Sequence, residues 1–152
     1  MIIDIVISIT FIILNILCSV RACNSDHKYR TISNNLCKLI VVINSIAACY
    51  YGYILQSTLT TAIIFLVLVM VWLFGCFGAG DIKLLCAFLL GIKPELTIAC
   101  LVMVGGLGGV QLVVMYLIGL ATNKSLFEKG IPYGIPISIS GFACTTLSFL
   151  SF

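Results

Sequence analysis

Long apolar runs, broken by short polar punctuation, organise this chain. Ile2–Val20 is the first run, and the stretch that follows, Arg21–Lys38, is the most polar in the sequence. Leu39–Leu55 is the second run, ended by Gln56-Ser57-Thr58, and Leu59–Phe77 is the third. Gly78-Ala79-Gly80-Asp81 then interrupts, before a short fourth run, Ile82–Ile92. After the turn Lys93-Pro94-Glu95 come a fifth run, Leu96–Ala121, a polar loop, Thr122–Ile131, and a sixth run from Pro132 to Phe152. A helix crossing hydrocarbon needs about 20 predominantly apolar residues. The pattern therefore predicts an all-α polytopic bundle of about six transmembrane helices, forming one membrane-embedded domain over residues 1–152.

Two details refine this. Met1–Val20 has no basic start, carries Asp4 and is too long for the apolar region of a signal peptide, so it reads as a retained first helix. The fourth run is too short to span alone. Either it extends back through Gly78, or it is a partial helix packed against its neighbours. Irregular backbone at membrane depth is tolerated only where protein or a wet cavity shields it, so this weak segment points to a site. In the fifth run, Gly105 and Gly109 form a G-x-x-x-G pair, the pattern that lets membrane helices approach closely.

Composition sharpens the class. The chain is 62% apolar and 9% charged, against roughly 45–50% and about 25% in soluble domains. Too few charges exist to cover a surface facing water, and no length remains for a sizeable soluble domain. The net charge of +3 is small, and no interleaving of basic and aromatic residues suggests nucleic acid. The eight cysteines include no C-x-x-C pair, so neither a zinc site nor a redox pair is signalled. Most lie in apolar runs, where a free cysteine acts as a small hydrophobe. Positive charge is concentrated in the first, third and fifth loops: Arg21, Lys28, Arg30 and Lys38, then Lys83, then Lys124 and Lys129. By the excess of basic residues on the inner side, these loops should be cytoplasmic and both termini outside.

Chemistry narrows to the carboxylates, of which there are five. Asp4, Glu95 and Glu128 read as solvated or interfacial charges. Asp81 follows a Gly-Ala-Gly break between two apolar runs, where an ionised carboxylate costs at least ~2.5 kcal/mol. It either pairs with Lys83 at the interface or carries a function. Asp26 lies in the first loop, predicted to be on the same membrane side, and could equally be a solvated aspartate among basic residues. Two carboxylates on one face are the minimum for aspartic proteolysis: one draws a proton from water, the other donates to the scissile carbonyl, and their proton affinities split. His27 is the only histidine, which excludes a histidine metal cluster, and no phosphate-binding glycine loop is present. No metal or cofactor is expected.

Gly78-Ala79-Gly80-Asp81 matches the G-x-G-D motif of membrane aspartic proteases. Asp26-His27-Lys28-Tyr29-Arg30-Thr31-Ile32-Ser33-Asn34 resembles the D-x-x-x-R-x-I-x-N segment of type IV prepilin peptidases, and Pro132-Tyr133-Gly134 resembles the P-[YF]-G segment that opens that family's last helix. Order, spacing and predicted membrane side agree. The resemblance implies that Asp26 and Asp81 are the catalytic pair, that Lys83 belongs to a G-x-G-D-x-K form, that Arg30 and Asn34 hold the geometry of the first loop, and that Tyr133 and Gly134 line the cavity. It further implies a substrate: the leader and hydrophobic helix of prepilins or pseudopilins, cut on the cytoplasmic side of the inner (plasma) membrane. Ser33 stands where the family often has proline, which should loosen that turn. Long members carry an extra N-terminal domain with paired C-x-x-C motifs, associated with N-methylation; this sequence starts at its first core helix, so peptidase activity alone is expected, as in the short and preflagellin forms. Two other readings stay open: a small transporter subunit using Asp81, and a non-catalytic subunit of pilus assembly or secretion. Neither accounts for the first-loop segment.

Overall fold

The computed structural model describes residues 2–74, 78–122 and 132–151, all helix and short connections. Six helices follow one another: α1 (Ile2–Tyr29), α2 (Asn34–Tyr50), α3 (Ile54–Leu73), α4 (Ala79–Leu89), α5 (Pro94–Thr122) and α6 (Gly134–Leu150). Three of them, α1, α3 and α5, are long and apolar enough to cross a membrane. The 17 residues of α2 and of α6 rise about 25 Å each. The polar loop Thr122–Ile131, with Lys124, Glu128 and Lys129, lies beyond Thr122 and outside the described residues.

Polarity is arranged for lipid. Ile9, Leu17, Ile63, Val102, Leu117 and many other large apolar side chains face outward. The inward face of α6 carries Ser138, Ser140, Gly141, Cys144, Thr145 and Ser148, and that of α1 carries Ser8, Asn15, Cys18, Ser19 and Ala22. With lipid outside, apolar surface need not be hidden. Small inward residues instead let backbones approach, and the hydroxyls of Ser8, Thr145 and Ser148 donate to carbonyls of their own helices. The terminal helices α1 and α6 pack most extensively on each other.

The fourth helix is a partial helix, not an extension through Gly78. Its 11 residues rise only about 16 Å, and it is enclosed by α2, α3 and α6. Leu84, Leu85, Ala87, Phe88 and Leu89 are buried around its circumference. Phe88 lies directly against Gly141 of α6, where a Cβ would come within 2.5 Å of the ring.

Burying such a helix exposes its end carbonyls to hydrocarbon unless other groups meet them. Asn44 Nδ2 of α2 donates to the carbonyl of Ala87 (2.9 Å). Ser57 Oγ of α3 donates to those of Leu89 (3.0 Å) and Leu90 (2.7 Å), and the Tyr53 hydroxyl donates to that of Gly91 (2.9 Å). This corrects the expected break at Gln56-Ser57-Thr58. The chain turns earlier, at Tyr51-Gly52-Tyr53, where Gly52 supplies φ 78° at no steric cost. Ser57 then sits inside α3, facing the end of α4.

A second correction concerns the glycines of α5. Gly105 and Gly109 meet open space, with nothing within 4 Å of a would-be Cβ. The close approach is at Gly108, where a Cβ would lie 2.7 Å from the Tyr133 ring.

Candidate active site

The expected first loop is mostly helix. Residues 21–29 contain neither glycine nor proline, and α1 runs through them to Tyr29, two turns beyond the apolar run. Asp26 is therefore a helical residue, 5% exposed and turned inward, while His27 and Lys28 face outward. The helix stops at Arg30, which takes φ 54° while its N–H donates to the Asp26 carbonyl (3.0 Å). A left-handed arginine costs about 1–2 kcal/mol. Ser33 does not loosen the turn. Its extended backbone (φ −67°, ψ 133°) makes it the N-cap of α2, where its Oγ accepts the Leu36 N–H (3.3 Å).

The partner of Asp26 comes from the far end of the sequence. Gly134, the first residue of α6, donates its N–H to Asp26 Oδ2 (2.8 Å), and the Ile135 N–H also reaches the carboxylate. The backbone passes so close that a Cβ on Gly134 would lie 2.7 Å from Oδ2. Burial disfavours charge on Asp26, whereas the two N–H groups, Arg30 and His27 favour it. The end of α6 is held in turn. Gln111 Nε2 on α5 donates to the Pro132 carbonyl (3.0 Å), and the Tyr133 ring rests on Gly108.

Asp81 stands in the first turn of α4, with Gly78 as N-cap. Its carboxylate folds back to accept the Gly78 N–H, the return half of a capping box. A Cβ on Gly78 would lie 2.8 Å from Asp81 Oδ2, and Gly80 faces Ile32 of the α1–α2 connection. Burial first, and then the negative charge of Asp26, push the Asp81 carboxyl up to about 6; the Gly78 N–H opposes this. The two carboxylates, 55 positions apart in sequence, are thus neighbours at one end of the bundle.

Lys83 does not pair with Asp81. Its Nζ donates to Asn34 Oδ1 (3.3 Å), tying the start of α4 to the start of α2. The structure thus gathers Asp26, Arg30, Asn34, Gly78, Gly80, Asp81, Lys83, Pro132, Tyr133 and Gly134 at one end. Asp4 bonds the Tyr50 hydroxyl (2.8 Å) at the other, where Lys93 also meets Ser148 and Ser151. Sequence reasoning missed Gln111 and Gly108. A lone glutamine inside an apolar run was the available signal for the first; nothing marked the second among its neighbouring glycines. Among the described residues, no cluster of three or more histidine, cysteine, aspartate or glutamate side chains could hold a metal ion.

An apolar-surfaced helical bundle whose buried polar cluster sits at one end, around two carboxylates and a helix start, defines a membrane protein with a site at the edge of its apolar zone. The type IV leader peptidase family matches residues 9–120, well over half of the chain and including both aspartates, and the chain belongs to that family. No curated protein and no solved structure matches it. Membership of that family implies a peptidase.

Proposed function

We propose that this protein is an aspartic endopeptidase that removes the leader from type IV prepilins or pilin-like proteins at the cytoplasmic face of the inner membrane, with Asp26 and Asp81 as the catalytic pair. One observation carries the reading: Asp26 of α1 and Asp81 in the first turn of α4, 55 positions apart in sequence, lie at the same end of the bundle, beside the start of α6 and the α1–α2 connection. Membrane proteins rarely accept this arrangement without a functional demand.

The surroundings divide the roles. Asp26, facing two N–H groups at the positive end of α6, is the ionised member. Asp81, partly buried and facing that charge, holds the proton. Asp26 takes a proton from water as its oxygen attacks the scissile carbonyl carbon, and Asp81 gives its proton to the carbonyl oxygen. The neutral gem-diol then collapses: Asp26 returns its proton to the leaving nitrogen while Asp81 recovers one from a gem-diol hydroxyl. Both carboxylates end as they began, and no metal is required. The two titrate as a pair, so apparent proton affinities belong to the dyad.

The test is leader removal in membranes by the unchanged protein, by Asp26→Asn and by Asp81→Asn. Both substitutions keep shape and remove the titrating group. Each alone should abolish cleavage while the protein accumulates normally. Normal cutting by either variant refutes the dyad.

A further inference from the structure

Beside the dyad's end of the bundle, α2 and α3 pack only thinly on each other. A groove of about 710 Å³ opens between them, floored by α4. Val41, Val42, Phe65 and Leu90 wall it, and Lys38 and Lys83 stand on its lining at the polar end marked by Asn34. Val42 and Phe65 are 53% and 45% exposed, so the groove faces sideways, toward hydrocarbon.

Among the described residues, the two lysines have no counter-charge. Lys83 holds a neutral amide, and Lys38 forms no ion pair among the described residues. Asp26 is engaged by α6, Asp4 by Tyr50 at the opposite end, and Glu95 begins α5 beyond the far end of α4. An apolar trough beneath two unmatched cations calls for an amphiphile with an acidic head. In a bilayer that molecule is at hand at high local concentration, and a trough left empty forfeits the dispersion contacts of its walls.

We propose that this groove is a binding site for one anionic phospholipid, with its phosphate between Lys38 and Lys83 and an acyl chain along α2 and α3. The site adjoins the dyad's end of the bundle through Asn34 and Lys83, and its occupancy stands whether or not Asp26 and Asp81 cut peptides.

The test is native mass spectrometry of the full chain, purified in detergent, stripped of lipid and given equal phosphatidylglycerol and phosphatidylcholine with matched chains. One phosphatidylglycerol should be retained in preference, with each lysine contributing about fivefold to the selectivity. Lys38→Gln should lower that selectivity about fivefold. Val42→Trp, which keeps both lysines but fills the wall, should remove the retained lipid altogether. Circular dichroism melting on both variants identifies any that has lost its fold. Equal retention of the two lipids, or retention unchanged by both substitutions in folded protein, overturns the proposal. So does displacement of the lipid by an apolar peptide bearing a carboxylate, because the groove would then belong to a protein segment.

Discussion

The two ends of α4 are built on opposite principles. At its C-terminal end, the carbonyls of Ala87, Leu89, Leu90 and Gly91 are met by Asn44, Ser57 and Tyr53, and the following turn is tied to α6 through the Lys93 N–H and Ser148 Oγ (3.0 Å). At its N-terminal end stands Asp81, whose carboxylate meets the Gly78 N–H and the charge of Asp26. The closed end fixes where the helix lies; the open end keeps a carboxyl free for chemistry. The short helix begins at the rim of the bundle, where Gly78 and Ala79 are exposed and Asp81 is only partly covered, while its far end is buried. Substitutions at the open end should therefore harm cleavage and spare stability, and those at the closed end the reverse.

The largest departure is expected from Gly134→Ala. Its Cβ cannot share space with the Asp26 carboxylate, 2.7 Å away, so the carboxylate must move. Displacing a reacting group by about 1 Å costs on the order of 10²-fold. Cleavage time courses should show that loss, with the melting temperature in detergent little changed. Asn44→Ala should do the opposite. It strips the Ala87 carbonyl of its donor, a loss of about 1–3 kcal/mol visible in denaturant titration, with cleavage per folded molecule preserved.

Proton dependence comes next. Asp81 binds its proton more tightly in the fold than in the unfolded chain, with a midpoint raised to about 6. Its ionisation therefore works against the fold: this contribution to stability is complete below the ordinary carboxylate range and is lost as pH rises through about 6. On the proposed mechanism, cleavage needs the same proton. In a pH series, kcat/KM should fall about tenfold per unit above that midpoint. A flat profile to pH 8 would contradict the assignment of Asp81 as the acid. Smallest of all, Tyr53→Phe removes one of several contacts at the closed end. A loss of about 0.6 kcal/mol in stability is expected, with cleavage unaltered.

Much of this was legible beforehand. Apolar run lengths located all six helices, and the shortness of Ile82–Ile92 marked the enclosed one. Three local motifs marked the residues that meet around the dyad. What escaped was relational. The polarity of Arg21–Tyr29 suggested a loop, but those residues contain no helix stop, and Asp26 finds its partner on α6. Gln56-Ser57-Thr58 looked like a solvated break because a serine's partner cannot be read from its own neighbourhood. Gly105 and Gly109 had the right spacing for packing, but helix rotation turned Gly108 inward instead. Periodicity reports what a segment is, whereas facing depends on segments far away in sequence.

The bond from Gly134 to Asp26 closes a span of 108 residues, and that span has a consequence in time. Chains emerge N-terminus first, so α1 is made long before the helix that completes it. A chain interrupted after Thr122 carries both carboxylates but lacks the backbone donor that Gly134 offers Asp26. If Asp26 and Asp81 act as proposed, assembly order is a safeguard: the half-made protein, sharing the membrane with other half-made helices, would not cut them until its last helix docks against its first.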